Sequence, residues 1–101
     1  MSGLKFDGGK PDYTLVPWPA MEEVVKVLGF GAQKYDRDNW RKVDNAKQRY
    51  QAAAFRHMAA YASGQHKDPE TGLSHMAHVG CCVLFLVALE QAEEHAAACG
   101  K

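Results

Sequence analysis

The sequence has no surplus of either charge: 12 Lys plus Arg stand against 12 Asp plus Glu in 101 residues. A general binder of DNA or RNA needs a basic excess to displace counterions from phosphates, so no nucleic-acid polymer is expected as a partner. A small anionic ligand is still compatible, because a pocket needs only a local surplus of lysine. Long apolar runs are absent too. The longest, Val79 to Leu89, has 11 residues, against the roughly 20 that cross a bilayer. Met1 to Asp7 lacks the apolar stretch of a secretory signal. No membrane is expected as a partner, and a cytoplasmic location is. Cysteine is scarce: Cys81, Cys82 and Cys99 are odd in number, two of them adjacent, and none forms a CxxC pair. That pattern reads as plain thiols, not a disulfide or zinc framework.

What remains is a chain with 47% hydrophobic and 24% charged residues, the balance of a globular domain and not of a disordered one. Its length allows one domain, residues 1–101, with no internal repeat or low-complexity linker. Residues 1–17, rich in Gly and Pro, read as an arm; a short strand at Tyr13–Val16 is the one regular element it could hold. A helical core is expected over 18–98. Met21, Val24, Val25, Leu28, Ala32 and Tyr35 recur at the helical period, with Gly29 and Gly31 marking a kink or early end. A second helix is expected over Ala46–Ser63, closed by Gly64. A third is expected to open at Thr71 and run to about Ala98. Between Val79 and Leu89 that helix is apolar all round, so it must be surrounded, which two partner helices cannot do. The fold class is therefore an all-α three-helix bundle with an N-terminal arm, completed by homo-oligomerisation.

The sharpest chemical signal is His75-x-x-His78 at the head of the third helix. Three residues apart, both imidazoles share one face, and the positive end of the helix dipole disfavours their protonation. Neutral histidines of this kind can hold a metal or accept a proton; they can equally be helix-end residues bonded to backbone or carboxylate. Asp68 and Glu70 precede the pair and offer carboxylates. On the first helix Glu23 falls between Val27 and Phe30 and Glu22 borders Lys26, so Glu23 is the better candidate ligand, or else a simple dipole partner. No HExxH or ExxE pattern occurs. His57, on the apolar stripe of the second helix, suits a hydrogen-bonded core histidine. The arm segment Lys5-Phe6-Asp7-Gly8-Gly9-Lys10 combines cations with glycines that allow close backbone approach to phosphate, without a Walker frame. Lys34, Tyr35, Asn39 and Trp40 offer a cation, an amide and rings for a nucleotide-sized ligand, or anchor a loop.

Taken in order, Lys5-Phe6-Asp7-x-Gly9-Lys10-Pro11, Leu15-Val16-Pro17, Glu23-Val24, Gly31-Ala32-x-Lys34-Tyr35, Asn39-Trp40, Arg56-His57 and Asp68-x-Glu70-Thr71-Gly72-Leu73-x-His75-x-x-His78 resemble a phage-encoded family. It is the family named for the N-terminal domain of dATP/dGTP diphosphohydrolase. The resemblance implies an all-α fold related to MazG-like nucleotide pyrophosphohydrolases, and a host-cytoplasmic setting. It further implies metal-dependent hydrolysis of purine deoxynucleoside triphosphates with Mg²⁺ or Mn²⁺. Catalytic and metal-ligand roles then fall to Glu23, Asp68, His75 and His78. Substrate-binding roles fall to Lys5, Asp7, Lys10, Lys34, Tyr35, Asn39, Trp40 and His57. The paired carboxylate motifs of MazG-like enzymes are missing, and Lys26 stands where an ExxE pair would put an acid. A non-catalytic oligomer that sequesters a nucleotide signal is the alternative reading.

Overall fold

A computed structural model describes residues 3–99, and among them no β-strand occurs. Three α-helices carry the fold: α1, Trp18–Lys34; α2, Ala46–Ala62; and α3, His75–Ala98. Two 3₁₀ turns, Tyr13–Leu15 and Asn39–Lys42, flank α1. The chain is all-α, as its apolar periodicity predicts.

Local chemistry explains each boundary. Residues 13–16 do not form a strand, because the Asp12 carboxylate accepts from the Thr14 backbone N–H at 3.0 Å and its hydroxyl at 2.6 Å, winding the segment into a 3₁₀ turn. The Trp18 indole donates to the Tyr13 carbonyl and ties that turn to α1. α1 runs through Gly29 and Gly31 without ending, and the Tyr35 N–H bonds back to the Gly31 carbonyl at 3.0 Å. α2 ends where expected, and Gly64 follows in a left-handed conformation at φ +103°. α3 opens at His75 and not at Thr71. Asp68 Oδ1 accepts from the N–H groups of Glu70 (2.8 Å) and Thr71 (3.0 Å), which holds 68–71 in a turn. Gly72 completes it at φ +74°, and Ser74 caps the helix by accepting from the Met76 N–H.

α3 lies against both other helices. Val27, Ala77 and Cys81 form a small core, with Val24, Leu28, Leu73 and Phe85 packed around it; Cys82 and His75 are also buried. Gly80 allows the close approach of α1: a Cβ there would sit 3.0 Å from Val24 Cγ2. By length and composition α3 could cross a membrane, yet it is the helix that both others pack on. Its partners cover it incompletely, leaving Val83, Leu84 and Val87 at 41–46% exposure. The apolar belt is thus not enclosed within one chain. The radius of gyration is 17.1 Å, well above the roughly 13 Å of a compact domain this size.

The two kinds of helical glycine should respond oppositely to substitution. At Gly29 an added methyl meets nothing within 4 Å, so Gly29→Ala should stabilise by about 0.5–1 kcal/mol. Gly80→Leu must push Val24 away and should cost about 1–3 kcal/mol. Thermal melts of the two variants check both signs.

Candidate active site

The connector between α2 and α3 is folded tightly on itself, and that fold brings three ligating groups together. The Asp68 N–H donates to the Leu73 carbonyl, the Gly72 N–H to the Asp68 carbonyl, and the His75 N–H to the His66 carbonyl, each at 2.8 Å. Asp68 Oδ1 is occupied by the turn, which leaves Oδ2 facing His57, 3.9 Å from its Nδ1. His57 projects from α2 and His75 from the first turn of α3, and their Nδ1 atoms lie 2.8 Å apart. One donor atom from each of His57, Asp68 and His75 falls within 4.8 Å of the others. The side chains of His57 and Asp68 are 21% and 15% exposed, and His75 as a whole only 4%.

His78 extends the cluster. Its ring stacks on His57 with centroids 4.5 Å apart, and its Nε2 lies 2.8 Å from the Thr71 hydroxyl. Burial lowers the His57 pKa, and the neighbouring His78 and His75 lower it further against the pull of Asp68. Burial likewise lowers His78, again opposed by Asp68. For Asp68, burial acts to raise the pKa. The Thr71 and Glu70 N–H groups, with His78 and His57 nearby, outweigh it and hold the carboxyl below its ordinary value. Near neutral pH the site therefore presents His57 and His78 as neutral imidazoles beside an ionised carboxylate. That is a donor set for a divalent cation or a proton acceptor.

His78 also lines a groove of about 810 Å³ between α1, the segment after it and the head of α3. Val27, Leu28, Cys81 and Phe85 give it an apolar lining, and burial pushes the Cys81 thiol up to about 12, so this cysteine serves as a hydrophobe. Lys34, Tyr35, Asn39 and Trp40 all line the same groove. Trp40 is stacked on Phe85 at 4.4 Å and carries the Arg41 guanidinium 4.3 Å from its centroid, so both ring faces are taken and only its edge is available. The Tyr50 hydroxyl donates to the Trp40 carbonyl and steadies the turn. Lys34 bonds Glu70 across the groove at 3.0 Å, a contact that raises its pKa and keeps it cationic.

The residues singled out from sequence thus divide. Asp68, His75 and His57 converge, His78 adjoins them, and Lys34, Tyr35, Asn39 and Trp40 share the groove. Glu23 does not join the cluster: its carboxylate is paired with Lys26 Nζ at 2.9 Å, one helical turn along α1. Lys5, Asp7 and Lys10 lie on the exposed arm, outside the groove lining, with Lys5 and Asp7 paired to each other at 3.7 Å. Three contributors were not among the site residues expected from sequence. Gln65 Oε1 accepts from His75 Nε2 at 2.7 Å, Thr71 holds His78, and Arg37 lines the groove with no carboxylate within ion-pair distance among the described residues. Gln65 and Arg37 lie in loops, where no periodicity shows what a side chain faces.

Residues 1–99 match the family described as "dATP/dGTP diphosphohydrolase, N-terminal". A curated relative, the dATP/dGTP diphosphohydrolase of Salmonella phage PMBT28, is 38% identical over 86 residues, which is 85% of this chain and 29% of that protein. The chain spans less than a third of the length of that relative. No solved structure matches it. With the match running through the arm, the groove and the histidine cluster alike, this chain belongs to the dATP/dGTP diphosphohydrolase N-terminal family.

Proposed function

We propose that the chain is the nucleotide-handling unit of a metal-dependent diphosphohydrolase of purine deoxynucleoside triphosphates. In that reaction water adds to the α-phosphorus, and the deoxynucleoside monophosphate and pyrophosphate separate. The observation that carries the reading is the adjacency of the cluster and the groove: His78 lines the groove and stacks on His57, a member of the cluster. A base over the apolar lining would direct its phosphates past Lys34 and Arg37 toward Asp68 and the histidines. The name of the phage relative supports the substrate class.

The donor set of the cluster fits a divalent ion. Two imidazole nitrogens and a single carboxylate oxygen suit Mn²⁺ better than Mg²⁺, which favours oxygen ligands. His75 Nδ1, Asp68 Oδ2 and His57 Nδ1, the last after giving up the proton it directs at His75, would hold it, with Glu23 left to its pairing with Lys26. A bound divalent ion would supply charge against the triphosphate and acidify water. His78 Nε2, beside the groove, is placed to take a proton once Thr71 turns its hydroxyl away. Lys34 and Arg37 would orient the phosphate oxygens and offset charge developing on them. The arm cations Lys5 and Lys10 would reach phosphate only by closing over a groove. The exposed Val83, Leu84 and Val87 face of α3 supports assembly with a second copy, and the phage relative supports a host-cytoplasmic setting.

Incubation of purified protein with Mn²⁺ and dATP or dGTP should release monophosphate and pyrophosphate, resolved by chromatography. Asp68→Asn and His75→Gln should each lower turnover by at least ~100-fold, since even outer-shell changes at metal sites cost about 10–100-fold. Recovery of intact nucleotide with every divalent metal tested would instead indicate sequestration.

Stability should depend on pH through the same imidazoles. Unfolded, His57 and His78 titrate near 6.5; folded, both titrate lower. As pH falls below about 6.5 the unfolded chain takes up protons that the folded one refuses, so stability is full above that value and is lost toward the folded pKa values. Asp68, held low, adds its loss only below its ordinary pKa of 3.8. Melting temperatures across pH 5–8 should fall on the acid side, with a shallower fall in His57→Gln; a rise on acidification would be the wrong sign.

A further inference from the structure

His75 is the most buried polar side chain among the described residues, and each of its ring nitrogens has one close partner. Nδ1 meets His57 Nδ1 at 2.8 Å, and Nε2 meets the Gln65 side-chain oxygen at 2.7 Å. An amide oxygen only accepts, so the Nε2 position must carry the proton of the neutral ring. The lone pair then lies on Nδ1, and His57 is the donor in the contact between the two histidines. Backbone bonds hold both ends of this arrangement. The Gln65 N–H is bonded to the Ala60 carbonyl at the end of α2, and the His75 N–H to the His66 carbonyl, one residue beyond Gln65. The Gln65 backbone is thus anchored to α2 and held beside the first residue of α3.

We infer that Gln65 is a positioning residue: by accepting from Nε2 it fixes the tautomer of His75 and makes Nδ1, the atom facing His57 and Asp68, the nitrogen available to a divalent cation. This rests on the metal reading above for its purpose, but not for its geometry. Without Gln65 the buried ring can place its proton on either nitrogen, and a ring protonated at Nδ1 has no lone pair to offer the cluster. Gln65→Glu keeps an acceptor at Nε2 and should preserve the tautomer. Gln65→Leu removes the acceptor, and Gln65→Asn, one methylene shorter, withdraws it while remaining polar.

The tautomer is read directly from long-range ¹H–¹⁵N correlation of the histidine rings in metal-free protein at mildly alkaline pH, and metal affinity from an Mn²⁺ titration followed by electron paramagnetic resonance. The unsubstituted protein and Gln65→Glu should show His75 protonated at Nε2. Gln65→Leu and Gln65→Asn should show a shift toward Nδ1 and bind Mn²⁺ about 10–100-fold more weakly. Protonation at Nδ1 in the unsubstituted protein, or an unchanged tautomer in both Gln65→Leu and Gln65→Asn, overturns the inference whatever the metal does. An unchanged Mn²⁺ affinity in those variants overturns it as well. Failure of the unsubstituted protein to bind Mn²⁺, with the expected tautomers, overturns the metal reading and the purpose assigned to Gln65 together.

Discussion

Two imidazole nitrogens 2.8 Å apart can share one proton but cannot each keep one, and this contact between His57 and His75 constrains much else in the molecule. It requires α2 and the head of α3 to be held in register, since the rings come from different helices. It requires at least one ring to stay neutral, because a second proton between the two nitrogens would place like charges in contact away from water. It also makes the neighbouring carboxylate useful, since Asp68 is the anionic group turned toward the pair. A site built this way sets two imidazoles and one carboxylate around a single small volume.

The α2–α3 connector supplies that register. Asp68 divides its two oxygens between structure and site: Oδ1 accepts from the turn and Oδ2 faces His57. Replacing the aspartate therefore disturbs the loop and the cluster at once. Ser74 then starts α3 abruptly, so that His75 occupies the first helical residue, close enough to the connector for its backbone and side chain both to bond there. α1 contributes differently. It packs on α3 through Val24 and Val27, aided by the missing side chain at Gly80, and its C-terminal end delivers Lys34 and Tyr35 to the groove. The cluster of His57, Asp68 and His75 belongs to α2, the connector and α3, and the groove to α1 and α3. His78 is common to both surroundings.

Much of this was legible beforehand, for identifiable reasons. His75 and His78 stand out because three residues separate them at a helix start, and Lys34, Tyr35, Asn39 and Trp40 because a short interval brings cations and rings to one helix end. Their convergence on one groove follows from the α1–α3 packing. Glu23 stands apart from the cluster because helical angle says which face a side chain occupies but not what competes for it, and Lys26 lies within reach on the next turn. His57 looked like an isolated core histidine because its partners are 11 and 18 residues away, in elements whose approach no local pattern encodes. Trp40 looked available for stacking until Phe85 and Arg41 were seen to cover its faces.

Apolar period, glycine and proline punctuation and the absence of long apolar runs determined by themselves that this chain is three helices with an arm, because those signals act within a few residues of each other. The all-round apolar stretch Val79–Leu89 also announced surface that one chain leaves uncovered. Tertiary structure alone decided which histidines meet, which carboxylate faces them, and that Gln65 meets the His75 ring. Each of those depends on distances of a few ångströms between side chains remote in sequence, and hydrogen bonds and metal ligation discriminate at that scale, whereas hydrophobic burial does not.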